Sequence, residues 1–352
     1  MFRLSDTAKK RYTAFWDNDA FGRFCLHLSM RLNKTEAPPA APEDVAGRWE
    51  DIDYRTRHYD WQAASSRFFA EGFPRSFVNF GPGCLAAMIG GSYKWAEDTV
   101  WFENGKVITD WDSPPPPALD EASAMYRLTK ALTQSLLDSG QSCVSVSDMG
   151  GTYDIVAALR GTQDLLMDLY EYPEQVKAYV KKLQPVWRDY FLRYAGRLIA
   201  AQGGMTSWMP IWSDKTYYPL QCDFSAMISP DMFEEFVLPD LAYQSGYMKR
   251  SVYHLDGPGE LPHLRHLLSL PRLNAIQWTS GAGNPDVDDA CWHDLYREIQ
   301  AAGKGLVLLG VRPENLESLL DSFSPKGLFV SCGVSDEAQA KELIRAADCR
   351  GA

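Results

Sequence analysis

Cysteine is present in this 352-residue chain but never in pairs: the seven lie singly at 25, 84, 143, 222, 291, 332 and 349. An odd number without CxxC spacing excludes a disulfide framework and a zinc ribbon, and most of the thiols are expected as small buried hydrophobes. Basic charge is scarce as well. Against 46 Asp and Glu stand 35 Lys and Arg, a formal net charge of −11, with no Lys/Arg cluster. A nucleic-acid partner needs a basic footprint and anionic lipid recruits basic segments, so neither is expected as a partner. No run of about 18 apolar residues could span a bilayer. Met1-Phe2-Arg3-Leu4-Ser5-Asp6 lacks the apolar stretch of a secretory signal, and a cytoplasmic protein is expected. Neither GxGxxG nor GxxxxGK[ST] occurs, which removes the two common phosphate-cradling loops.

What the chain does have is a rhythm. From residue 251 onward, short apolar strands at 251–254, 273–278 (LNAIQW), 305–309 (GLVLL) and 327–331 (GLFVS) alternate with helices at 259–268, 287–302, 313–321 and 335–347. Such alternation implies a parallel sheet covered by helices. Upstream, strands are expected at 21–30, 75–80, 142–147 and 205–212, with amphipathic helices at 122–139 and 174–201. Eight βα units in a chain of this length predict an α/β fold of the TIM (β/α)8 barrel type. Residues 1–20 read as an N-terminal helical extension. Residues 21–352 read as a single barrel domain with insertions in its first βα units: an excursion over 31–70 that carries a Pro/Ala stretch, and an insertion around 84–120 with strand-like pieces at 99–102 and 106–109.

In such a barrel the chemistry sits at the C-terminal ends of the strands. The strand beginning at Ser251 ends in His254 and Asp256, two residues apart and therefore on one face of an extended backbone. The last strand ends in Cys332 and Gly333. Nitrogen, oxygen and sulfur donors converging from two strand ends make a zinc site with an open fourth position. Read without a metal, His254 and Asp256 would bind substrate hydroxyls and Cys332 would only pack.

The stretch from Cys222 to Pro239, CDFSAMISPDMFEEFVLP, resembles a segment of the uroporphyrinogen decarboxylase superfamily, in which an acidic position precedes a Ser-Pro helix start. The His254-x-x-Gly257 strand end and the strand–Cys332–helix unit are similar too. The resemblance covers roughly 140–347 and, more weakly, 70–103. It implies a TIM barrel. The chain lacks the arginine-rich N-terminal loop of the true decarboxylases, and Ala157 falls near the position of their tyrosine. It is closer to the zinc- and corrinoid-dependent methyltransferases, which carry a His-x-Cys pair and a distant Cys. Here Asp256 stands where that branch has cysteine, a harder donor. The resemblance implies zinc held by His254, Asp256 and Cys332, with Cys222 as a candidate fourth donor. It also implies a small-molecule methyl donor or acceptor, and a corrinoid carried by a partner protein.

Around this centre Asp148 and Asp223 are the candidate catalytic carboxylates. Trp208, Trp212, Tyr217, Tyr218 and Trp278 are candidates for an aromatic substrate platform, and a homodimer is an expected assembly. Two alternatives stay beside the methyltransferase or demethylase reading: a metal-free lyase or decarboxylase acting on a small carboxylate, and a non-catalytic barrel that binds a small molecule.

Overall fold

The structure is a computed structural model that describes residues 2–33, 36–103, 105 and 107–350. Its strands are β1 (Cys25–Arg31), β2 (Ser66–Ala70), β3 (Arg75–Ser76), β4 (Ser92–Trp95), β5 (Val100–Glu103), β6 (Cys143–Val144), β7 (Tyr217–Leu220), β8 (Arg250–Asp256), β9 (Ala275–Thr279), β10 (Gly305–Leu308) and β11 (Leu328–Gly333). Seven of them form one sheet in the order β2-β1-β11-β10-β9-β8-β7. Every neighbour in it is parallel except β2, which turns back antiparallel on β1. The fold is thus α/β, as the alternation requires.

The expected ring of eight strands is not closed by these ladders. β3 and β6 pair with each other in a separate parallel sheet, and β4 and β5 form a hairpin. The strand expected at 205–212 is absent as a strand. Met205 and Thr206 make single bridges, to Ser213 and Ser145, and the regular pairing resumes only at Tyr217. Likewise β3 stops at Ser76 instead of running to residue 80, and Gly81, at φ +81, turns the chain out of the sheet. Within the excursion over 31–70, helices Val45–Glu50 and Ile52–Ala64 precede β2. Of the strand-like piece at 106–109, Lys106 lies outside the described residues and residues 107–109 form no strand.

Helix boundaries follow local capping chemistry. Ser5, Ser123 and Ser229 each accept an amide hydrogen in the first turn of the helix that follows. Gly140 and Gly203 end helices Ala124–Ser139 and Pro173–Gln202 in the left-handed conformation. The N-terminal helix Asp6–Trp16 is no loose extension. It floors the sheet at the N-terminal strand ends, with Tyr12, Phe15 and Trp16 buried. Trp16 Nε1 donates to Trp212 O at 2.9 Å, and Tyr12 OH donates to Glu71 O at 3.0 Å. Among the described residues no helix is long and apolar enough to cross a membrane.

Strand register decides which side chains share a face, because residues in register point the same way and neighbours along a strand alternate. One row runs His254, Gln277, Val307, Phe329, Cys25. Phe329 packs on Tyr12 and Phe15 of the floor helix, so this row faces the interior. The row of opposite parity runs Leu255, Trp278, Leu308, Val330, Leu26 and faces the helices.

Candidate functional site

β8 delivers His254 and Asp256 on the interior parity, and the turn after β7 delivers Asp223 beside them. Each of these three offers a ligand atom, and the three atoms lie within 4.8 Å of one another. His254 Nε2 is 4.0 Å from Asp256 Oδ2. The imidazole is held from behind by its row neighbour Gln277, whose Oε1 meets His254 Nδ1. The amide nitrogen of Gln277 is committed elsewhere, donating to Trp278 O and Thr279 Oγ1, each at 2.7 Å. Gln277 therefore presents oxygen to the ring. Nδ1 donates to that oxygen, and Nε2 is the ring atom that faces Asp256. The indole of Trp208 stands edge-on to the imidazole at 4.9 Å between centroids.

A second group of carboxylates surrounds the first. Asp148 Oδ1 accepts from Tyr218 OH at 3.0 Å and from Gly150 N at 3.1 Å. Burial raises the Asp148 carboxyl above its ordinary range; the Gly150 and Tyr218 hydrogen bonds and the nearby His254 pull it back. Asp154 accepts from Phe224 N and Gly151 N and so ties the Asp223 turn to the start of helix Thr152–Arg160. Burial, with Asp223 adding to it, pushes Asp154 up to about 7. Glu260 Oε2 accepts from the backbone N–H of Asp256 at 3.2 Å. Burial and the surrounding Asp223, Asp154 and Asp256 push Glu260 up to about 9. Asp223 keeps solvent contact at the mouth. It is raised by the desolvation that the packed loops impose, and Asp256 and Asp148 add to this while His254 opposes it.

Asp148, Asp223 and His254 line a cavity of about 350 Å³ whose walls also include Trp49, Phe77 and Trp208. The β4–β5 hairpin, part of the expected insertion, closes one side through Asp98, Thr99 and Val100. An adjoining, more apolar cavity of about 260 Å³ shares Pro82, Gln221 and Asp223 with it.

The structure brings together only some of the residues expected from the sequence. His254, Asp256, Asp223, Asp148 and Trp208 meet at one site. Cys332 does not join them. It lies two residues beyond Val330, hence on the helix-facing parity, where burial raises its thiol to about 11 and the nearest charges are Glu314 and Asp288. Cys222 is buried beside Asp154 and Glu260, where burial raises its thiol; it is not in the ligand group. Among the aromatic candidates, Trp278 packs on Trp292 on the helix side. Trp212 and Tyr217 belong to the floor, packed on Tyr12 and Trp16, and Tyr218 serves the site through its bond to Asp148.

Gln277, Asp154 and Glu260 were not among the sequence candidates. Gln277 had a signal, a lone amide inside the apolar run LNAIQW. Asp154 and Glu260 had none, since isolated acids near helix starts are common.

With this geometry established, comparison with known proteins adds a likeness in fold. No family model matches the chain, and no curated protein does. The chain is similar in fold to a solved methyltransferase from Methanosarcina mazei. The TM-score is 0.64 at 12% sequence identity, over 98% of this chain and 99% of that one. At that identity the likeness concerns the fold.

Proposed function

We propose that this protein is a metal-dependent methyltransferase or demethylase of the uroporphyrinogen decarboxylase type, with zinc held by Asp223, His254 and Asp256. The single observation that carries the reading is the convergence of those three ligand atoms at the ends of β7 and β8, above a cavity. The donor set fits the ion. One imidazole and two carboxylates leave a position for substrate, as in other three-ligand zinc sites. Gln277 supplies the outer-shell partner that a ligating histidine needs. Bound there, zinc would hold an acceptor thiol as thiolate or polarise a donor oxygen.

The protein's own groups do the rest. Gln277 fixes the His254 tautomer, and Glu260 pins the backbone of Asp256. Trp208 shields the imidazole from water, and Asp148, oriented by Tyr218 and Gly150, offers a carboxylate to the substrate. Methyl transfer between a small molecule and a corrinoid carried by a partner protein is part of the same proposal. Support for the barrel comes from the fold likeness and from three links. Ser145 bridges Thr206, Arg75 Nη1 donates to Ser207 O at 3.0 Å, and Tyr218 OH reaches Asp148. On this reading β3, β6 and the 205–220 segment would complete the seven-stranded sheet into a ring.

The test is elemental analysis of purified protein after zinc addition. Wild type is expected to hold about one zinc per chain. Asp223→Ala and His254→Ala are expected to lose it, and Cys332→Ala to keep it. Zinc retained by His254→Ala would sink this site.

A further inference from the structure

We infer that the cavity over the Asp223–His254–Asp256 group receives a small methylated ammonium cation, and that this cation is the methyl donor; the donor role rests on the methyl-transfer reading above. The first ground is charge. Asp98, Asp148 and Asp223 line the cavity, and among the described residues no lysine or arginine does. The guanidinium groups of Arg55 and Arg75 are engaged with the backbone carbonyls of Asn79 and Ser207. A divalent metal would balance Asp223 and Asp256 and leave Asp148 and Asp98 uncompensated. The same carboxylates disfavour an anionic substrate, including the small carboxylate of the lyase alternative.

The second ground is the wall. Trp208 and Phe77 present aromatic surface to the cavity, the partner that quaternary ammonium groups select.

The reaction balances without further reagents than a thiolate acceptor. The sulfur lone pair forms the S–C bond as the C–N bond breaks. Nitrogen keeps the bonding pair and leaves as a neutral amine, so the charge that held the donor against Asp148 is discharged on transfer.

Isothermal titration of the full chain with choline and with its neutral isostere, 3,3-dimethylbutan-1-ol, tests the assignment. Choline is expected to bind at least about tenfold more tightly. Asp148→Asn keeps the oxygen that accepts from Gly150 and Tyr218, and should erase most of that preference while leaving the isostere unchanged. Asp98→Asn, on the exposed hairpin, should reduce the preference without any risk to the core. Equal affinity for the two ligands, or no saturable choline binding, would overturn the inference. Binding is read without turnover, so the outcomes separate from those of the metal assay. Zinc retained by His254→Ala would overturn the metal site and leave the cation preference standing. Zinc bound as expected, with no preference for choline, would overturn the cation assignment alone.

Discussion

Replacing Gln277 with leucine tests whether the site is built as a metal centre or only resembles one. Gln277 is 2% exposed and does not line the cavity itself; it meets the site through its bond to His254. In wild type the amide oxygen holds Nδ1–H and the amide nitrogen is spent on Trp278 O and Thr279 Oγ1. Leucine fills similar space and removes all three bonds. Loss of such an outer-shell partner lowers metal affinity about 10- to 100-fold, equivalent to about 1.4 to 2.7 kcal/mol. The same change leaves buried polar groups without partners, a stability cost of about 1–3 kcal/mol, which thermal melting would register separately. The assay is competition for zinc against a chromophoric chelator, with nitrogen-15 NMR of the imidazole to report the tautomer. A zinc affinity within twofold of wild type, together with an unchanged tautomer, would refute the reasoning.

Three further outcomes are expected. Asp240 is buried, and burial pushes it to about 6 against the opposing bonds from Gln184 and Thr152. The native state therefore binds more protons than the unfolded state between about pH 4 and 6, and stability falls as pH rises through that window. Asp240→Asn should be more stable than wild type at pH 7.5 by about 1–2 kcal/mol, the full shift of about 3 being reduced by one lost acceptor, and should show no advantage at pH 4; urea unfolding at the two pH values decides it. Gly151→Ala would place a Cβ 2.1 Å from Gln221 O, pushing away the segment that carries Asp223; zinc binding should weaken while the far-UV spectrum is kept. Glu71 is 1% exposed and pairs with both Arg11 and Arg23. Glu71→Ala should cost up to about 3–5 kcal/mol, because Arg23 stays buried with only the half-exposed Asp348 as its charged partner, and the melting temperature checks it.

The α/β class was legible because the final four strands are short, apolar and evenly spaced, with helices between them. The same reading overran in the first half, where the run at 75–80 pairs only at Arg75 and Ser76 and the run at 205–212 is replaced by the bridged turn from Met205 to Ser213. Local β propensity there yields to tertiary packing. The His254–Asp256 pair was legible because both residues sit on a single strand, where period-two alternation needs no knowledge of the neighbours. Asp223 was marked as a catalytic acid, and only the turn after β7 shows that it reaches the same point as the imidazole.

Cys332 shows where that kind of inference breaks. To bring it to His254, the alternation must be carried across three ladders, from β8 through β9 and β10 to β11. Each ladder fixes its register by side-chain packing and not by a motif. A one-residue offset at any of them sends the thiol from the interior to the helix side. Here the register puts Phe329 in the row of His254 and Val330 in the row of Trp278, so Cys332, two residues on, shares the face of Trp278. The donor set that results is one nitrogen and two carboxylate oxygens, without sulfur. Oxygen donors are harder than thiolate, so the centre should hold its ion less selectively against manganese or magnesium than a thiolate site would. The electrostatic consequence points the same way as the cavity wall. A site that, on the proposed reading, gives two carboxylates to its metal and keeps Asp148 and Asp98 on the cavity wall is suited to a substrate that arrives with positive charge.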